Sequence, residues 1–394
     1  MRAWVNRGLA LAAAICIPSA TGLAQSWPFD QLVQTQPQTQ PRAPVMRTPT
    51  AASSGEGNTV ARVNNWTVGL AAGLPEGTFL RFAAEIARNL NTSNDLRVLA
   101  TVTPGATDNV KDLLYLKGMD IDITHADVFK HFRTVDKIPN IEKRVNYISE
   151  MYISELHVLV RPEINSFKDL EGKKVSFHTP GAGPSVTGPI LFQRLGIKVE
   201  PVYVNNAIAY EMMKKGEIFA LIHTVGKPND LFVKNKNDAG LKFLPVPYDK
   251  FDDLYVPSVF TAEDYPGYVK PGEKIETIGV QAVLAVYNWP LGSDRFRRVQ
   301  RFVEFYFDRF QNFHQPPYHP KWKSINLAAK VPGWNRYWVA EDKLKQMAAA
   351  QPAPRAVDPQ LARQQAARAA PNDAAEQERL FKKFLEWSKT QAKQ

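Results

Sequence analysis

The spacing of apolar positions switches repeatedly between a strand period and a helix period. Residues 66–70 and 96–102 read as strands, and 77–90 puts Phe79, Phe82, Ala83, Ile86 and Leu90 on one helical face. A second helix is predicted over 107–116, ending at Gly118, and a short strand over 121–124. This order predicts a parallel sheet with crossover helices. After an apolar run at 147–160 the alternation restarts. Strand 174–178, helix 185–195 closed by Gly196, strand 199–204, helix 207–215 closed by Gly216 and strand 219–223 follow one another. Two successive α/β units predict two lobes. A strand-like run at 275–287 returns the chain to the first lobe, and a helix at 295–313 carries Phe302, Phe305, Tyr306 and Phe310 as its buried stripe.

The ends of the chain differ in composition. Residues 1–24 carry Arg2 and Arg7, an apolar run over 9–18, and small residues at Gly22 and Ala24, the layout of a cleaved secretory signal peptide. The one cysteine, Cys16, lies inside it, so the mature chain has no thiol. Export without disulfides predicts a periplasmic location. Residues 25–60 are rich in Pro, Gln, Thr and Ser and read as a disordered linker, with order starting near Val60. Lobe 1 is expected at 61–155 and 283–345, lobe 2 at 156–282, and the hinge near 157–161 and 281–286. Residues 349–371 read as a second linker. Residues 372–391 read as an amphipathic helix capped by Asp373, with Leu380, Phe381, Phe384, Leu385 and Trp387 close together. That helix either folds back on its own lobe or docks on a partner, a second copy included.

Charge and motifs narrow the function classes. The net charge of +10 comes from basic residues spread along the chain, without an aromatic-interleaved stripe, so a nucleic-acid partner is not expected. There is no Gly-x-Ser-x-Gly elbow, no His-Glu-x-x-His and no phosphate loop, so neither an enzyme nor a bound cofactor is expected. Asp120 and Asp122 could share a strand face, but a solvated sheet edge explains them.

What remains is a set of four strand-to-helix turns with small, hydroxyl-bearing or Gly-rich sequences, at 69–78, 104–109, 179–185 and 224–228. Ligands of open parallel sheets bind outside such turns, where helix N-termini can hold a carboxylate. Thr78, Thr107 and Ser185 are placed to cap those helices or to bond a ligand. His125, His178 and His223 fall at predicted strand ends. They could meet as hydrogen-bond donors, ligate a metal, or be satisfied by backbone; their spacing carries no metal signature.

The turn Gly77-Thr78-Phe79, the turn from Pro104 to Val110, and the strand Gly118-Met119-Asp120-Ile121-Asp122-Ile123-Thr124-His125-Ala126-Asp127 form one ordered series. It continues with Phe167-Lys168-Asp169-Leu170-Glu171-Gly172-Lys173, with Gly181-Ala182-Gly183-Pro184-Ser185-Val186-Thr187, and with Gly216-Glu217-Ile218-Phe219-Ala220 before Gly226-Lys227-Pro228. The series resembles the TAXI solute receptors of TRAP transporters, over roughly residues 63–339, with His125 where that family carries Gln. The resemblance implies a type II periplasmic-binding-protein fold, α/β and two-lobed. It implies capture of a small carboxylate or amino-acid-like solute and delivery to TRAP membrane permease subunits. The ligand-binding residues expected are Gly77, Thr78, Phe79, Thr107, Asn109, His125, Asp127, His178, Ser185, Thr187, His223 and Gly226, with Thr78, Thr107, Asn109, Ser185 and Thr187 holding the carboxylate. A periplasmic sensor or adaptor of the same fold, without its own transporter, is the alternative.

Overall fold

The computed structural model describes residues 53–92, 95–235, 237, 239–350, 359–371 and 373–391. The signal peptide and most of the first linker lie outside the described residues. In chain order the first lobe begins with α1 (Ser53–Asn65), β1 (Thr67–Ala71), α2 (Thr78–Leu90), β2 (Arg97–Thr101), α3 (Ala106–Tyr115), β3 (Ile121–His125), α4 (Ala126–Thr134) and α5 (Ile141–Arg144). The long strand β4 (Val145–Val160) leads into β5 (Lys174–Ser176), α6 (Pro184–Leu195), β6 (Glu200–Val202), α7 (Asn206–Lys215), β7 (Ala220–Val225), α8 (Asp230–Lys234), β8 (Lys242–Phe243) and β9 (Val256–Thr261). Strand β10 (Lys274–Tyr287) returns to α9 (Asp294–Asp308) and α10 (Trp338–Ala350), and α11 (Pro359–Ala369) and α12 (Ala374–Gln391) end the chain.

The strand order is β2-β1-β3-β10-β4-β7-β5-β6. Strands β1, β2 and β3 are mutually parallel, as are β5, β6 and β7, while β10 runs antiparallel to both β3 and β4. Two parallel units are thus joined by one antiparallel pair of long strands, the two-lobed α/β plan of a type II periplasmic-binding protein. One apolar core, with Phe82, Ile123, Phe302 and Trp322, serves the first unit. The second unit has a core on each sheet face, sorted by the period-two alternation of β4: Leu156, Val158 and Val160 face one core and Leu159 the other.

Strand pairing distinguishes the two expected hinge segments, 157–161 and 281–286. Residues 155–160 of β4 are paired with β7 inside the second unit. The β4–β10 ladder instead breaks register between Gln281 and Val283, opposite residues 150–153. A broken ladder is where two strands can bend without losing further bonds.

Three corrections concern helix bounds. Helix α1 starts at Ser53, ahead of Val60, with Glu56 in its first turn and Arg62 in its last, matching the helix dipole. The second linker is not a linker throughout, since α10 runs to Ala350 and Pro359–Ala369 is helical. Its Ala, Gln and Arg are good helix formers. The terminal helix does start behind Asp373, whose carboxylate accepts the Glu376 N–H at 3.0 Å. It pairs with α11 around a small core of its own, Ala362, Ala366 and Phe381. The expected helix at 295–313 ends at Asp308 and continues as a 3-10 turn over Phe310–His314.

Candidate functional site

The carboxyl ends of β1, β3, β5 and β7 converge where the two lobes meet. Short backbone approaches close the gap. The Thr107 and Asp108 N–H groups at the start of α3 donate to the Gly181 carbonyl of the other lobe, at 2.9 and 3.2 Å. A Cβ on Gly105 would stand 2.9 Å from Ala182 Cα, and one on Gly183 would collide with His125 Nδ1. Glycine at 105 and 183 is therefore what lets the lobes touch.

Between them lies a cavity of about 50 Å³, lined from lobe 1 by Gly77, Thr78, Phe79 and His125 among others, and from lobe 2 by His178, Gly183, His223 and Thr224. Tyr152 and Ser154 of the crossing strand complete the wall. The volume holds a few waters or a very small solute. No Lys or Arg lines it.

Each histidine arrives by a distinct route. His125 ends β3 and packs against Phe79, with ring centroids 4.8 Å apart. Neither of its ring nitrogens has a partner. His223 lies in β7, stacks on His178 at 5.6 Å, and leaves Nδ1 unpartnered. His178 sits at φ 64, a left-handed conformation costly for a residue with a Cβ. Its Nδ1 accepts the Thr179 N–H at 2.7 Å, which puts the proton of the neutral ring on Nε2. Burial pushes His125 down to about 3 and His178 below the ordinary histidine range. Burial, with the neighbouring histidines, pushes His223 well below it. All three are neutral near pH 7. Among the described residues, no three His, Cys, Asp or Glu side chains group as metal ligands.

Six of the twelve expected residues line the cavity: Gly77, Thr78, Phe79, His125, His178 and His223. The other six are committed elsewhere, most of them to lobe closure. Asn109 donates to the Ala72 and Ile123 carbonyls and accepts from Thr103, which ties its turn to two strands. The Ser185 hydroxyl bonds Ala182 O at 2.6 Å within its own turn. Thr107 reaches Ala182 O across the lobes at 3.4 Å. Thr187 donates to Asp127 at 2.7 Å, and Tyr255 donates to the same oxygen at 3.0 Å. The Gly226 N–H donates to Thr78 Oγ1 at 3.1 Å. The carboxylate-holding role expected of Thr107, Asn109, Ser185 and Thr187 is thus displaced, because partners within the protein already use those groups. Alanine at Ser185 is accordingly expected to leave solute affinity within about threefold of wild type, measured by calorimetry.

Sequence reasoning missed Tyr152 and Ser154, while Thr224 opens the turn it did single out. Polar residues at alternate positions inside the apolar run 147–160 were the available signal. It also missed Glu155, a buried carboxylate held by Lys321 at 2.7 Å and by the Lys227 N–H at 2.8 Å. Lys321 lies 166 residues away and carries no local mark.

The chain is similar to the periplasmic binding protein BugD, at 14% identity over 72% of this chain and 94% of that one, with a TM-score of 0.45. It is similar to a periplasmic transporter, at 12% identity over 72% and 95% of the two chains, with a TM-score of 0.41. It is also similar to a protein of Archaeoglobus fulgidus, at 14% identity over 73% and 98%, with a TM-score of 0.39. Residues 70–330, more than half of its length, match the family described as NMT1-like, and the chain belongs to that NMT1-like family.

Proposed function

We propose that this protein is a periplasmic solute receptor that closes on a small carboxylate-bearing ligand and delivers it to TRAP-type permease subunits. The observation that carries this reading is the wall of the central cavity. His125 keeps both ring nitrogens, His223 its Nδ1 and Thr224 its hydroxyl buried without partners. Each such group costs about 1–3 kcal/mol unless something bonds it. A small polar solute between the lobes supplies the missing partners. Helix α2 starts at this cavity without a side-chain cap, so its first N–H groups and dipole favour an anionic end on the solute. The six motifs that resemble those of TAXI receptors support the transport role. The helical pair α11–α12 beyond the lobes favours a second reading, an adaptor or sensor that presents the closed state to another protein.

Mass spectrometry of protein purified from its own host, native and then denatured, tests the ligand. A released small carboxylate is expected; a neutral sugar would overturn the carboxylate. Gly183→Val tests closure, because its side chain would stand in the place of His125. It is expected to weaken retention of that solute at least about tenfold. Unchanged affinity would show that the lobes need not meet at Gly183.

A further inference from the structure

A second cavity, of about 380 Å³, lies beside the crossing strands and shares no lining residue with the central one. That size suits a small molecule. One wall is a single face of α4, with Phe129, Lys130 and Arg133 at helical spacing. The facing wall is the segment from Asp252 to Val256 of the other lobe, and Lys330 and Trp334 close the end. Gln281, at the register break of β10, forms part of the lining.

The chemistry of these walls is uneven. Trp334 stacks on Phe129 at 4.1 Å and makes an aromatic surface, and its indole nitrogen is buried without an acceptor. Lys130 and Arg194 share Asp253, which neutralises that acid. Arg133 and Lys330 are exposed, and among the described residues neither has an acidic partner within ion-pair distance. Asp252 stands on the opposite lip and disfavours a second negative charge on an occupant.

We infer that this hinge cavity is a second ligand site, for a small aromatic monocarboxylate whose ring lies on the Phe129–Trp334 surface and whose carboxylate meets Arg133 and Lys330. Both lobes contribute to its walls, so an occupant favours the closed arrangement and strengthens solute retention in the central cavity by the same factor as it is itself strengthened.

Calorimetric titration of the full chain with 2-naphthoate tests the site. Saturable one-to-one binding is expected, weakened about tenfold or more by the paired substitution Arg133→Ala and Lys330→Ala, which alters only exposed side chains. The uncharged 2-naphthamide is expected to bind more weakly than the acid. Absence of saturable binding at millimolar concentration would overturn the site. So would affinity untouched by the paired substitution. Equal affinity for the amide would overturn the carboxylate assignment.

Discussion

Lys321→Met is expected to destabilise the protein by about 3–5 kcal/mol. The Lys321 ammonium lies 2.7 and 3.0 Å from the two Glu155 oxygens and 2.8 Å from the Ile153 carbonyl. Glu155 is 3% exposed, so removing the cation leaves a buried carboxylate with only the Lys227 N–H bonded to it. Burial already pushes the Glu155 carboxyl up, and Lys321 is the main opposing influence. Without the lysine the carboxyl protonates more readily, so the loss is largest at neutral and alkaline pH and shrinks as pH falls. Because Lys321 comes from lobe 1 and Lys227 from lobe 2, the same change loosens the crossing strands. Pairing it with Glu155→Leu removes the stranded charge and is expected to recover most of the loss. Urea unfolding of the two variants measures both steps. A single variant within about 1 kcal/mol of wild type at pH 7 would show that the ion pair does not hold the hinge.

The second large effect is acid destabilisation through His125. Its folded value of about 3 lies below the unfolded value near 6.5. Between those values the unfolded chain binds the proton and the folded chain does not, so stability rises with pH across that window and falls as pH drops through it. Each pH unit well inside the window is worth about 1.4 kcal/mol per such histidine. Buried His157 and His223 act in the same direction. Asp122, Asp127 and Glu155, which burial pushes up, act in the opposite one. Comparison with His125→Gln cancels the shared contributions. From about pH 8 to about pH 5, wild type is expected to lose about 2 kcal/mol more than the variant. Parallel pH profiles would mean that His125 is not held neutral by burial. Bound carboxylate, by stabilising a protonated ring, is expected to flatten the wild-type profile.

The two α/β units were legible from the chain because strands and helices impose different periods on the same apolar residues. Phe82, Ile86 and Leu90 mark the inward face of α2 whatever they pack against, and Gly196 and Gly216 sit where their helices end, at φ 70 and 78. Turn chemistry likewise pointed to the region of His125, His178 and His223, which line the central cavity although β5 ends at Ser176 and β7 runs on to Val225. Short elements such as α4 and α5 escaped, since nine and four residues hold too few turns for a period to emerge.

Tertiary structure decided how the turn residues are used. Thr107, Asn109, Ser185 and Thr187 look alike as hydroxyl or amide groups beside helix starts. Whether such a group meets a solute or another carbonyl depends on what the opposite lobe brings within about 3 Å. Ala182 O takes that place at Thr107 and Asp127 takes it at Thr187, and no local pattern encodes a partner 75 or 60 residues away, whereas Ser185 and Asn109 are bonded within their own lobes. The same holds for Glu155 and Lys321, and for Arg133 and Lys330. Helix and strand periods are local, so the chain order alone determined the elements and their inward faces. Desolvation and pairing of polar groups depend on surroundings assembled from distant segments, so only the closed fold decided which histidines became neutral, which carboxylate became paired and which polar atoms were left for a ligand.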